Sequence, residues 1–184
     1  MRPLIVLLLS LVLVPAWAND IQLPDYERVE LDNGTVLLLA EKHDVPLIGL
    51  RAVVRGGAAA DPADKGGTAD LLSTLIQKGA GDRNAAAFAE ASANVGGSIS
   101  ASASTEAISV SADFLARDAS LMIELVADML IRPTLSEEEF IKERDRTIAL
   151  IQAAKGSNVP ALMSAYANRF MFGAHPYGNP PSGS

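Results

Sequence analysis

Gly66-Gly67-Thr68-Ala69-Asp70-Leu71-Leu72-Ser73-Thr74-Leu75 marks the point where the chain changes from extended to helical patterning. A helix is expected from about Thr68 to Lys78. Ahead of it, Gly56 to Gly67 reads as a loop of Gly, Ala, Asp and Pro. That loop lacks the Gly-Lys-Ser/Thr ending that a phosphate-binding loop requires, so nucleotide chemistry is not expected there. Further back, Leu47 to Val54 is rich in branched residues and reads as a strand. Before it, Glu27 to Leu31 and Val36 to Ala40 flank Asp32-Asn33-Gly34, which is a hairpin signal.

After the quoted stretch, Gly79 to Asn84 reads as a loop and Asn84 as the cap of a second helix, Ala85 to Asn94. Gly96-Gly97 turns the chain into a small-residue strand, Ser98 to Ser104. Glu106 to Leu115 alternates, with Ile108, Val110, Ala112 and Phe114 on one face, and pairs with it as a second hairpin. Leu121 to Leu130 is an apolar helix stopped at Arg132-Pro133. Ser136, followed by Glu137, Glu138 and Glu139, opens a helix running to about Ala154, because acidic groups favour its N-terminal end. A last helix is expected from about Pro160 to Phe172. Strand runs alternating with helix runs argue for an α+β layer fold, an antiparallel sheet of about five or more strands covered by helices.

Residues 1–18 read as a cleavable signal peptide. Arg2 precedes an apolar run from Leu4 to Val14, Pro15 breaks it, and Ala16-Trp17-Ala18 offers a small-x-small cleavage site. The run is shorter than the ~20 residues of a membrane-spanning helix. No cysteine is present, which excludes a lipid-carrying cysteine and a disulfide framework. A periplasmic or secreted location is expected, with no membrane attachment after cleavage. The formal net charge is −7, and Arg2 is the one charge in the leader, so the mature part is more acidic still. That balance argues against nucleic acid as a partner. Residues 19–184 make one domain, and the closing Pro180-Pro181-Ser182-Gly183-Ser184 reads as a loop with no closing element, as if the domain continued.

Several landmarks in this order resemble the N-terminal domain of the insulinase/pitrilysin zinc peptidases, the inverzincin group. They are the Leu31-Asp32-Asn33-Gly34 turn, the Gly56 to Gly67 loop, Leu71-Leu72 and Lys78-Gly79 in the helix, and the Gly96 to Ser102 strand. Arg132-Pro133, Glu143-Arg144 and His175-Pro176-Tyr177-Gly178 follow. Active relatives use His-x-x-Glu-His on that helix, with two zinc-binding histidines, a glutamate base between them, and a distal glutamate ligand. The resemblance places the first histidine at Asp70, the base at Ser73, the second histidine at Thr74 and the distal ligand at Leu150. Glu143 matches a second acidic position and is retained.

The resemblance therefore implies a peptidase fold without the peptidase reaction. Zinc is expected in active relatives only, and no cofactor is expected here. Losing a positioned base costs roughly 10²- to 10⁴-fold by itself. The matching strand of active relatives pairs with extended peptide at its open edge, which implies peptide contact at Ser100 and Ala101; an ordinary hairpin strand is the alternative. His43 and His175 are the two histidines and are not spaced as a ligand pair. The implied role is a partner subunit that lends chamber wall and peptide contacts to a zinc-bearing homologous subunit. A stand-alone peptide-binding or scaffold protein is one alternative. A residual metal-dependent hydrolase using Asp70 and Glu143 is another.

Overall fold

A computed structural model describes residues 24–157 and 159–183. The expected signal peptide lies outside the described residues. The elements follow in the order β1 (Glu27–Glu30), β2 (Val36–Leu39), β3 (Leu47–Arg55), α1 (Thr68–Leu75), β4 (Gly79–Ala80), β5 (Arg83–Asn84), α2 (Ala85–Ala93), β6 (Ser98–Ala103), β7 (Ala107–Leu115), α3 (Ala119–Ile131), α4 (Glu137–Ser157) and α5 (Val159–Phe172). The chain divides into two compact units between Asp44 and Val45.

The first unit carries the hairpin that Asn33-Gly34 signals. β1 and β2 pair antiparallel, Glu27 opposite Leu39 and Glu30 opposite Val36. The Gly34 N–H donates to Leu31 O at 2.8 Å and the Thr35 N–H to Asn33 Oδ1 at 3.0 Å. Gly34 sits at φ 80°, a region glycine enters without a Cβ penalty.

The second unit is built around β7. β3 and β6 pair antiparallel on its two sides, in the order β3-β7-β6. Strict alternation along β7 sends Val110, Ala112 and Phe114 to one face, where all three are buried. α3 lays Met122, Leu125, Val126 and Met129 on that face, and Phe88 of α2 joins them. Partly buried Ile48, Leu50 and Ala52 of β3 and Ile99 and Ala101 of β6 extend the same cluster. Packing is tight enough to select glycine at the α2–β6 turn, since a Cβ on Gly97 would stand 2.6 Å from the Phe114 ring.

Asp128 of α3 is buried and satisfied by two guanidiniums. Arg132 Nη2 donates to Oδ1 at 2.6 Å, and Arg83 Nη1 donates to Oδ2 at 3.4 Å while its Nη2 reaches Glu124 at 2.7 Å. This pins the small β4–β5 ladder to the end of α3. The ladder occupies the stretch expected as a loop, with Gly79 opposite Asn84 and Ala80 opposite Arg83.

Other differences are local. Among the described residues the strands are antiparallel as expected and fall in three sheets, β1-β2, β3-β7-β6 and β4-β5, not in one broad sheet. α1 stops at Leu75, three residues before the expected end; the Gln77 and Lys78 N–H groups turn back to Thr74 and Leu75, and Gly79 leaves at φ 114°. α4 continues to Ser157, past the expected Ala154. Asn84 caps α2 as its position implies, its Oδ1 accepting from the Ala87 N–H at 2.9 Å. No helix among the described residues is long and apolar enough to cross a membrane.

Candidate functional site

The face of interest is assembled by α1, the edge strand β6 and α4, all in the second unit. Its anchor is an acid that sequence reasoning missed. Asp61 reaches over the start of α1, accepting from the Gly67 N–H at 2.8 Å (Oδ2) and the Ala69 N–H at 2.9 Å (Oδ1). A helix start exposes unpaired N–H groups that favour an anion. Here the chain's own carboxylate takes that seat, so the glycine-rich loop offers no vacant phosphate cradle. Gly67 turns into the helix at φ 94°, and the loop at Ser182 and Gly183 closes against it.

Two of the three replaced positions on α1 turn their hydroxyls back onto their own helix. Ser73 is buried, and its hydroxyl donates to the Asp70 carbonyl at 2.8 Å. The Thr74 hydroxyl donates to the same carbonyl at 3.3 Å. Such bonds to a preceding turn satisfy a helical hydroxyl without a ligand. The Asp70 side chain is partly buried and accepts no described hydrogen bond. Burial first, and the neighbouring Asp61 charge second, raise its pKa above the ordinary aspartate value. Leu150 stands on α4 and is 61% exposed. It has no donor atom for a metal.

This donor set does not fit zinc. One carboxylate is not the three protein ligands of a catalytic site, and the two hydroxyls are committed to backbone. Among the described residues no group of three or more His, Cys, Asp or Glu is placed to hold a metal ion. His43 is exposed and lies 3.5 Å from Glu41. His175 Nδ1 accepts from the Tyr177 N–H at 3.2 Å and so caps a short turn.

Glu143 has a different task. It is buried on α4, with Lys78 Nζ at 2.9 Å and Arg146 Nη1 at 3.4 Å. The Lys78 hydrogen bond is the main cause holding its carboxyl below the usual glutamate range, against the burial that opposes it. The Lys78–Glu143 pair clamps the turn after α1 to the first half of α4. Glu143 is thus committed to Lys78 and Arg146, while the Asp70 side chain, the other acid of the conceivable weak metal site, makes no described hydrogen bond or ion pair.

β6 is a sheet edge. Ser100 is exposed and lies opposite Ser111 of β7, while Ala101 is half-buried opposite Val110. The Ser104 N–H bonds to Ala107 O at 2.7 Å, closing the hairpin. In an antiparallel ladder hydrogen-bonded pairs alternate. Counting back from Ser104, the even-numbered residues bond to β7, and Ile99, Ala101 and Ala103 direct their N–H and C=O outward. Gln77 reaches this edge: its Nε2 donates to Ala101 O at 3.1 Å and to Ser73 O at 2.8 Å. Gln77 was not singled out from sequence. Only its four-residue spacing from Ser73 is visible there.

Two hollows border α1. One of about 780 Å³ lies between α1 and α4, with Leu71, Leu72, Leu75, Phe140 and Ile148 among its walls. The other, about 450 Å³, is lined by Thr74, Gln77, Lys78, Glu139 and Lys142 beside small alanines of α2.

Comparison with known proteins gives this geometry a context. Residues 36–180 match the family described as Insulinase (Peptidase family M16). Uncharacterized zinc proteases of Mycobacterium bovis and Mycobacterium tuberculosis are 31% identical over 131 residues. That stretch is 70% of this chain and 29% of those proteins, so the chain spans under a third of the length of the curated relatives it matches. Among solved structures, a peptidase M16 inactive domain from Pseudomonas fluorescens superposes with a TM-score of 0.82 at 20% identity, over 86% of this chain and 39% of that one. A protease from Helicobacter pylori superposes at 0.74 with 25% identity, over 89% of this chain and 39% of its own. Both share the layered antiparallel strands and helices described above.

Proposed function

The chain belongs to the insulinase family of peptidases (peptidase family M16), and from that premise we propose that it is a non-catalytic member acting beside a zinc-bearing homologous subunit. One observation carries the reading. At the positions where the resemblance places two histidines, a base and a distal glutamate, this chain has a lone carboxylate, two hydroxyls bonded to their own helix, and an exposed leucine. Ser73 cannot take a proton near neutral pH, and its own proton already points at a carbonyl. The scaffold around these positions is retained: the caps, the Lys78–Glu143 clamp and the β3-β7-β6 sheet.

The role left to such a chain is to shape the space in which a partner's chemistry occurs and to hold extended peptide along β6 at Ser100 and Ala101. The leader pattern of residues 1–18 supports export, so the partner is sought among exported zinc peptidases. The fold likeness to the inactive domain from Pseudomonas fluorescens is consistent with such a division of labour.

The test is zinc content and peptidase activity of the full-length protein, alone and mixed with a co-encoded homologue bearing His-x-x-Glu-His. The expected result is no stoichiometric zinc and no turnover alone, with turnover appearing or rising in the mixture. Stoichiometric zinc with turnover by the protein alone would overturn the reading. Peptide binding alone, unchanged by any homologue, would favour the stand-alone binding protein. Loss of a metal-dependent turnover in Asp70→Ala would favour the residual hydrolase.

A further inference from the structure

The Gln77 contact goes beyond this reading of the β6 edge, on which it rests. A strand that adds to an edge exchanges hydrogen bonds with the outward N–H and C=O of alternate residues. On β6 the central outward residue is Ala101, flanked by Ile99 and Ala103. Its carbonyl already accepts one hydrogen bond, from Gln77 Nε2 at 3.1 Å, which places the carboxamide at the edge an added strand would approach. The orientation of the carboxamide is determined by chemistry, because its second contact, Ser73 O at 2.8 Å, is also a carbonyl, and only the NH₂ end can serve both. Gln77 lies just past the end of α1, where the chain has left helical bonding and the side chain can swing without unwinding a turn. It also borders the hollow lined by Thr74 and Lys78, which offers room for a displaced side chain.

We propose that Gln77 is a built-in competitor for the open edge of β6. Its carboxamide holds the acceptor that an incoming peptide strand would use at Ala101, and peptide binds along β6 only when Gln77 lets go. The contact therefore sets a threshold. Peptides that pair with Ile99 and Ala103 as well as Ala101 displace Gln77, and shorter ones do not. Unpaired edges invite unwanted strand addition, and a side-chain cap at the centre of a short edge is one way to blunt it.

The experiment compares the wild-type full chain with Gln77→Ala and Gln77→Leu, the second keeping an aliphatic stem while losing the donor. Backbone NMR first reads the Ala101 carbonyl and Ser102 amide nitrogen. Both resonances shift in both variants if the contact exists in solution, and unshifted resonances overturn the proposal before any peptide is added. Fluorescence anisotropy then follows a labelled nine-residue peptide of alternating valine and threonine with lysine at each end. Both variants are expected to bind about two- to tenfold more tightly than wild type, the worth of one neutral hydrogen bond no longer displaced. Equal or weaker binding by the variants, with measurable wild-type binding, overturns the competition. Absence of binding by all three proteins, with the resonances shifted, instead sinks the peptide-binding reading of β6 and the competition with it.

Discussion

Asp128 on α3 and Asp70 on α1 are partly or wholly withdrawn from water in the same unit, yet they have opposite surroundings. Asp128 is 6% exposed and meets two guanidiniums, from Arg83 and Arg132. Among the described residues Asp70 has no ion-pair partner, and it is crowded by the like charge of Asp61. Burying a carboxylate with its partners ties elements together, whereas burying one without partners works against folding. Glu143, which the resemblance matches to a second acidic position in its helix, has gone the way of Asp128, clamped to Lys78 and Arg146. The α1 face thus divides into acids recruited as structure and one acid that structure does not use.

The strongest way to break this comparison is at the core both regions depend on. Phe114→Ala empties the centre of the cluster under α3 and is expected to cost about 3–5 kcal/mol in urea unfolding. A cost below about 1 kcal/mol would mean that β7 does not organise the unit. Glu143→Ala leaves Lys78 without its partner and is expected to cost about 1–3 kcal/mol. Its pH dependence gives a sharper reading. Because the folded pKa is depressed, Glu143 contributes stability that is present above the ordinary glutamate value of 4.5 and is lost as pH falls through the folded value. Acid unfolding of Glu143→Gln should therefore be less steep than that of wild type, and identical slopes would remove Glu143 from the scaffold.

Gly97→Ala drives a methyl group into the Phe114 ring and is expected to cost about 1–3 kcal/mol, read as a lowered Tm. The smallest effect has the opposite sign. The raised pKa of Asp70 means that its contribution is fully present below the ordinary aspartate value of 3.8 and is lost as pH rises through the folded value. Asp70→Asn should raise Tm slightly at pH 7 and leave it unchanged at pH 3. A fall in Tm at pH 7 would show a cation or metal partner for Asp70 and reopen the question of a metal there.

Much of the scaffold was legible from residues close together in the chain. Alternation through Ile108, Val110, Ala112 and Phe114 marks the buried face of β7, and the structure buries Val110, Ala112 and Phe114 as that pattern requires. Asn33-Gly34 marks the hairpin turn, and Asn84 caps α2. What decides the state of the candidate site was not legible, because its partners are distant or unpatterned. Lys78 lies in the turn after α1 and Glu143 on α4, Asp61 caps α1 from a loop that reads only as Gly, Ala, Asp and Pro, and Gln77 meets Ala101 across the edge of the sheet. No periodicity announces a side chain that bonds to a backbone carbonyl elsewhere.

By itself the sequence determined the order of the main strands and helices, the short β4–β5 ladder apart, and, at the positions the resemblance assigns, the absence of a zinc donor set at Asp70, Ser73, Thr74 and Leu150. Both follow from residue chemistry: periodicity selects the element, and a leucine or a hydroxyl cannot do the work of a glutamate or an imidazole. Only the tertiary structure decided that Ser73 and Thr74 bond back to Asp70, that Glu143 is a clamp and that Gln77 caps the β6 edge. Those outcomes depend on which polar groups packing brings within about 3 Å of one another, a matter of distance in space that spacing along the chain does not encode.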